Sequence, residues 1–211
     1  MKVCEIFTSI QGESSYAGMP CTFIRLTGCN LRCSYCDTSY AYFEGRELSD
    51  DEILSKVRRA GIDLVEITGG EPLLQYEVFQ LVRRLLNENY EILIETNGSQ
   101  SIKEIDKRAI VVLDIKTPGS GMSREMDFSN LDSIRSSDEI KFVITNREDY
   151  EWSKEIIQKH KLLGKCHLLF SPAFGILPPE NLAGWIIDDR LKIRLNLQLH
   201  KYIFSSEQRG I

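Results

Sequence analysis

Gly28-Cys-Asn-Leu-Arg-Cys-Ser-Tyr-Cys-Asp-Thr38 sets Cys29, Cys33 and Cys36 at C-x3-C-x2-C, directly after the apolar run CTFIRLT (21–27). Three thiolates on one loop can wrap a single inorganic cluster, and their count carries the chemistry. A closed [4Fe-4S] site takes four thiolates, so three leave one iron free for an exogenous ligand. Zinc is the structural alternative, and a closed tetrahedral zinc site needs a fourth Cys or His. Cys4, Cys21 and Cys166 are available for that, but none forms a C-x2-C pair with the three. A disulfide framework is a poor fit, because 211 residues can build a core without one and three of the six cysteines lie within eight residues.

Outward from this loop, apolar and β-branched runs recur: DLVEIT (63–68), YEILIET (90–96), AIVVLDIK (109–116), EIKFVIT (139–145), KCHLLF (165–170) and LKIRLNLQLH (191–200). Their starts are 19 to 30 residues apart, which suits buried parallel strands returned by helices. Ser49 with Glu52 three residues on predicts a capping box before Ile53, Leu54 and Val57, with Gly61 as the stop. Val78, Leu81, Val82, Leu85 and Leu86 repeat at helical spacing, and 148–163 and 178–188 are further helix candidates. The alternation predicts an α/β protein, a partial, incomplete TIM-like barrel of about six mostly parallel strands, with an open doubly wound sheet as the rival. Residues 28–45 and 117–130 break the rhythm and are expected to be loops. No linker divides 1–211, so a single domain is expected.

Composition narrows the function classes. Acidic residues outnumber basic ones 31 to 26 and the basic ones do not cluster, so no nucleic-acid surface is expected. The N-terminal MKVCEIFTSIQGE meets charge and glycine before any long apolar stretch, and no segment is long enough to span a bilayer. The expectation is a cytoplasmic protein without membrane attachment, its thiols kept reduced.

A second motif agrees with the cysteine loop: Thr68-Gly69-Gly70-Glu71-Pro72 closes the second βα strand. Together they resemble the radical SAM superfamily, in which the fourth iron of [4Fe-4S] is chelated by the amino and carboxylate groups of S-adenosylmethionine (SAM) and an electron cleaves SAM to a 5′-deoxyadenosyl radical. The stretch EIFTSIQGESSYAGMPCTFIRLTGCNLRCSYCDT (5–38), with TGGEP, ETNG (95–98), DIKTP (114–118), NLQLHKY (196–202) and the terminal QRGI, is similar to the 7-carboxy-7-deazaguanine synthase family of 7-deazapurine (queuosine precursor) biosynthesis. That resemblance spans nearly the whole chain. It implies contraction of 6-carboxy-5,6,7,8-tetrahydropterin to 7-carboxy-7-deazaguanine with loss of ammonia, Mg2+ dependence, a six-stranded core with fewer helices, a flavodoxin- or ferredoxin-type reductant and a homodimer.

By the same resemblance Ile10, Gln11, Gly12, Arg25, Thr68 and the carboxylate of Ile211 contact substrate; Tyr35, Cys36, Asp37, Gly70, Asp114, Ile115, Lys116, Ser171, Pro172, Ala173 and Phe174 contact SAM; Cys29, Cys33 and Cys36 hold the cluster and Thr38 the Mg2+. The residues suit these roles: the carboxamide of Gln11 can read a pterin edge, Arg25 offers a planar fork to a carboxylate, and Asp37 can hold a metal-bound water. Gln11 and Gly12 are equally readable as turn residues, and Arg25 as a surface charge. Glu95, Asn97 and His200 are candidate pocket groups without a settled role, and Asn196, Gln198 and His200 are expected along one face of a strand. The family's QGEG is QGES here, and Ser14 is suited to turns that do not require positive φ. Cys4, Cys21 and Cys166 have no assigned role. Two other readings stand beside this one: a glycyl-radical activase, which also carries C-x3-C-x2-C on a short chain, and a non-catalytic zinc or iron-sulfur protein.

Overall fold

The computed structural model describes residues 1–204, 209 and 210. Lys2–Ile10 (β1) and Pro20–Leu26 (β2) pair antiparallel, and Arg46–Glu47 (β3) adds to the outer side of β1. From β2 onward every neighbour is parallel: Leu64–Gly69 (β4), Glu91–Thr96 (β5), Ile110–Ile115 (β6), Glu139–Ile144 (β7), His167–Pro172 (β8) and Arg194–Leu195 (β9). The order is β3-β1-β2-β4-β5-β6-β7-β8-β9, with β3 and β9 as free edges, so the sheet is open.

Helices Asp50–Ala60 (α1), Val78–Asn87 (α2), Arg147–Lys159 (α3) and Pro179–Asp188 (α4) all contribute to one core with the same side of the strands. Ile24 and Leu26, Val65 and Ile67, Ile92 and Ile94, and Ile140 and Phe142 are the strand residues that meet them. Because strand side chains alternate, the other set faces away from the helices. Phe23 and Arg25, Glu66 and Thr68, Glu95, Asp114 and Lys141 belong to that set, and all border one cavity. Having α1 to α4 on one side only distinguishes this half-barrel from a doubly wound sheet, which is covered on both.

Local signals hold at the helix ends. Ser49 and Glu52 form the reciprocal capping box, and Gly61 ends α1 at φ 66°. Lys2–Ile10, not among the apolar runs, is a full strand whose interspersed polar residues suit its place near the sheet edge. Two expectations need correction. No α-helix follows β5 or β6; buried Asn130 stitches the two loops instead, accepting from Ile102 N (3.1 Å) and donating to Gly98 O (3.3 Å) and Gln100 O (2.8 Å). The run 191–200 contains only the two-residue β9. The residues after it dock on the turn that follows β1, and His200–Ile203 (α5) begins where the strand face was expected to end.

Candidate active site

The cysteine loop leaves the end of β2 and is tied down at both ends. Gly28 N donates to Ala41 O (2.9 Å), Thr27 Oγ1 to Glu44 O (2.5 Å), and the Leu31 side chain is buried in the main core. Ser34 donates twice to the loop after β6, from N to Ser120 O (3.0 Å) and from Oγ to Gly119 O (2.8 Å). The irregular 117–121 segment is therefore a brace for the cysteines.

Cys29, Cys33 and Cys36 all border the cavity, which measures about 780 Å3; Cys4, Cys21 and Cys166 do not. Burial raises the thiol pKa of Cys29 and pushes Cys33 up to about 11, partly offset at Cys33 by Lys116. Cluster loading therefore has to displace protons, as thiolate ligation generally does. Cys29 Sγ accepts from Leu31 N (3.4 Å) and Asn97 Nδ2 (3.8 Å), the kind of N–H donation that tunes iron-bound sulfur. Among the described residues no three His, Cys, Asp or Glu side chains lie close enough together to hold a single metal ion. Three thiols bordering one cavity, with no further cysteine on it and with donors already aimed at sulfur, fit a cluster with an open corner.

The Gly-Gly-Glu-Pro turn packs against this loop. A Cβ on Gly70 would meet Gly28 O at 2.1 Å and Cys29 Cβ at 2.7 Å, so only glycine lets the turn pass. Glu71 N donates to Gly28 O (2.7 Å). The fully buried Glu71 carboxyl clamps the loops after β4 and β5, accepting from Leu73 N (3.0 Å), Thr96 Oγ1 (2.8 Å) and Asn97 N (2.6 Å). Burial outweighs those donors and lifts it to about 7.

Of the residues expected to contact SAM, Tyr35, Cys36, Asp37, Gly70, Asp114, Lys116, Ala173 and Phe174 border the cavity. Tyr35 Oη, Asp114 Oδ1 and Ser171 Oγ are buried without a hydrogen-bond partner among the described residues. Unsatisfied buried polar atoms are costly, so Tyr35 and Asp114, which border the cavity, fit a ligand that supplies their partners, whereas Ser171 does not border it. Ile115 points to the helix side and lies in the core, and neither it nor Pro172 reaches the cavity with its side chain.

Of the residues expected to contact substrate, Ile10, Gln11, Gly12, Arg25 and Thr68 all border it; Ile211 lies outside the described residues. Arg25 is not unpartnered: its Nε donates to Glu5 Oε1 (2.7 Å), which also accepts from Tyr40 Oη (2.8 Å), leaving the two terminal amino groups of the fork. Gln11 differs from expectation, because its carboxamide is engaged within the protein. Oε1 accepts from Glu13 N (3.0 Å) and Nε2 donates to Glu66. At the rim, Thr38 Oγ1 donates to Asp37 Oδ1 (2.9 Å), and Lys201 Nζ to Asp37 Oδ2 (2.5 Å). Desolvation would raise Asp37, but Lys201 and Thr38 override it and hold the carboxyl at about 2.

The turn after β1 is fastened by the chain beyond β9. Leu199 N donates to Gly12 O (2.8 Å), and the His200 ring occupies the space a Cβ on Gly12 would need, with Nδ1 at 1.9 Å from that position. Ser14 takes φ 62°, the left-handed region, held by Asn196: Ser14 N donates to its Oδ1 and its Nδ2 to Ser14 O, each 3.1 Å. This turn thus requires the positive φ for which serine is not suited. Gln198 Nε2 donates to Glu13 Oε1 (2.8 Å). Asn196, Gln198 and His200 do converge on one feature, but from a docked loop and the start of α5.

Sequence reasoning missed the floor of the cavity. Lys141 is buried and donates to Glu13 Oε2 (2.6 Å) and to Glu95, with Asp114 Oδ2 at 3.4 Å; Lys116 closes on Asp114 at 2.7 Å. Desolvation disfavours its charge, yet these carboxylates raise its pKa well above the usual lysine range. The signal was present: Glu66 in DLVEIT and Lys141 in EIKFVIT are ionisable residues inside buried strands, which demand partners.

Comparison with known proteins agrees with this geometry. The model of the radical SAM superfamily matches residues 23–126. The 7-carboxy-7-deazaguanine synthase of Koribacter versatilis is 43% identical, covering 100% of both chains, and that of Chlorobaculum tepidum is 43% identical over 100% of this chain and 97% of its own. Among solved structures, QueE from Escherichia coli superposes with a TM-score of 0.79 at 23% identity over 94% of each chain. Streptococcus suis SuiB reaches 0.61 at 16% identity, over 89% of this chain and 54% of its own. At such identities these two likenesses speak for the fold.

Proposed function

Because the chain belongs to the 7-carboxy-7-deazaguanine synthase family of radical SAM enzymes, which use a [4Fe-4S] cluster and SAM, we propose that its cavity contracts 6-carboxy-5,6,7,8-tetrahydropterin to 7-carboxy-7-deazaguanine, releasing ammonia. The observation that carries this reading is that the three cluster cysteines, Arg25, Thr68 and Thr38 border one and the same cavity. When bound, the reduced cluster and SAM supply a carbon-centred radical able to abstract a hydrogen atom.

The chain's own residues hold and orient. Cys29, Cys33 and Cys36 are the cluster ligands. Gly70, Tyr35 to Asp37, Asp114, Lys116, Ala173 and Phe174 form the SAM wall, with Tyr35 Oη and Asp114 Oδ1 offering unspent hydrogen-bonding capacity. The free amino groups of Arg25 grip the pterin carboxylate, and Thr68 and the backbone of Ile10 to Gly12 border the ring, with the terminal carboxylate of Ile211 as a further contact. Thr38 would offer a hard oxygen to Mg2+, with Asp37 beside it, and substrate and water would supply the remaining oxygens. The enzyme acts as a single domain in a reducing cytoplasm, as a homodimer served by a flavodoxin- or ferredoxin-type reductant.

The test is anaerobic turnover. Reconstituted protein with SAM, dithionite, Mg2+ and 6-carboxytetrahydropterin is expected to form 7-carboxy-7-deazaguanine and ammonia, with product falling when Mg2+ is chelated. SAM cleavage without deazaguanine would refute the pterin assignment and leave the superfamily.

A further inference from the structure

Four carboxyl groups gather at the floor of the cavity: Glu13, Glu66, Glu95 and Asp114. Three of them share Lys141, and Asp114 also takes Lys116. Glu66 has no cation within ion-pair distance among the described residues. Its side-chain partner is Gln11 Nε2 at one oxygen, Oε2; the other oxygen has no hydrogen-bond partner among the described residues and is not sealed from the cavity. The Gln11 amide is itself oriented, because its Oε1 accepts from Glu13 N (3.0 Å). Gln11 therefore fixes Glu66 with one oxygen spent and one presented.

The register of β2 against β4 gives this carboxyl a level. Arg25 lies opposite Thr68, and Phe23 opposite Glu66, so the Arg25 and Glu66 levels are one pleat repeat apart, about 7 Å along the strands. Beside them Phe7 and Phe23 stack with centroids 5.0 Å apart and planes 11° from parallel, and both border the cavity. A cationic fork at one level, a flat aromatic wall and a carboxyl without a cation at the next describe a flat ligand: a carboxylate at one end, N–H donors at the other.

We propose that Glu66 is the specificity-determining residue of this cavity, accepting the adjacent ring N–H and exocyclic amino donors of a 2-aminopyrimidinone edge. The assignment rests on the pterin reading above and deepens it. A carboxylate oxygen has two acceptor sites, so the presented oxygen can take both neighbouring N–H donors in charge-assisted bonds, and no ammonium lies within ion-pair distance of it among the described residues. Burial and neighbouring Glu95 raise the Glu66 carboxyl well above the usual range, while Gln11 and Lys141 counter this only in part and Glu13 adds to it. An arriving donor pair is the partner that favours its ionised form.

The experiment is binding calorimetry on anaerobically reconstituted protein with SAM and Mg2+, using 6-carboxypterin and 6-carboxylumazine, in which a 2-oxo group replaces the amino group. The native protein is expected to prefer the pterin by about 10- to 100-fold, the scale of hydrogen bonds to a charged group. Glu66→Gln keeps the shape but turns an amide N–H toward the ligand's donors. It is expected to bring the two affinities within about 3-fold, with lumazine and SAM binding retained as evidence of fold. Undiminished preference in Glu66→Gln overturns the role of Glu66. Equal binding of both ligands by a native protein that turns over the tetrahydropterin overturns it too, with the pterin reading intact. A native protein that binds neither ligand and makes no deazaguanine overturns both.

Discussion

The rim and the floor of the cavity are built in opposite ways. At the rim, three thiols and Asp37-Thr38 come from one short loop, braced by Ala41, Ser120 and Gly119. At the floor, Glu13, Glu66, Glu95, Asp114 and Lys141 come from a turn and four strands, and meet only because alternate residues of parallel strands share a face. The rim is thus a local device that can exchange ligands. The floor is a global one, whose charged groups meet only while the sheet is assembled.

That difference ranks the expected effects of substitution. Replacing Cys29, Cys33 or Cys36 by Ala is expected to abolish SAM cleavage and to lower bound iron while leaving the folded sheet intact by circular dichroism. Cleavage surviving in any of the three would break the rim assignment. Lys141→Met leaves three carboxylates around a lost cation and is expected to cost about 3–5 kcal/mol in denaturant unfolding. The loss should shrink as pH falls, because protonation removes the uncompensated charge. An unchanged midpoint would mean the floor is not a coupled unit.

Glu71 joins the two regions and gives a pH signature. Its carboxyl is near 4.5 when unfolded and about 7 when folded, so the native state binds a proton that the unfolded chain releases between those values. Its contribution is fully present below pH 4.5 and is lost as pH rises through 7, about 3 kcal/mol in all. Denaturant titrations at pH 5 and pH 7.5 measure it, and Glu71→Gln should remove that part of the slope. The smallest effect is at Ser14. Ser14→Gly relieves the left-handed backbone but loses the bond from Tyr16 N to Ser14 Oγ (3.1 Å), so a net gain below about 1 kcal/mol is expected in thermal unfolding. A clear destabilisation would show the turn is held by that hydroxyl.

Legibility in the sequence follows the same division. The rim was readable because its information is a spacing: three cysteines in eight residues and a Gly-Gly-Glu-Pro at a strand end. The parallel strands were readable as apolar runs because helices cover one face and most residues of the other face are buried as well. Lys141 and Glu66 were passed over because each reads as a single charge inside such a run, and nothing local says that Glu13 or Gln11 lies opposite. Asn196, Gln198 and His200 imitate a strand by alternating, yet the alternation serves docking onto Gly12, Glu13 and Ser14. The carboxamide of Gln11 was expected to face a ligand, and the long-range contact with Glu66 turns it inward.

The central claim, an open cluster held at the rim by three thiols, is tested most directly by electron paramagnetic resonance of the anaerobically reduced, reconstituted protein with and without SAM. The account predicts a reduced [4Fe-4S] signal whose g-values shift when SAM is added, because an iron without a protein ligand accepts it. A reduced cluster whose spectrum is indifferent to saturating SAM would contradict it.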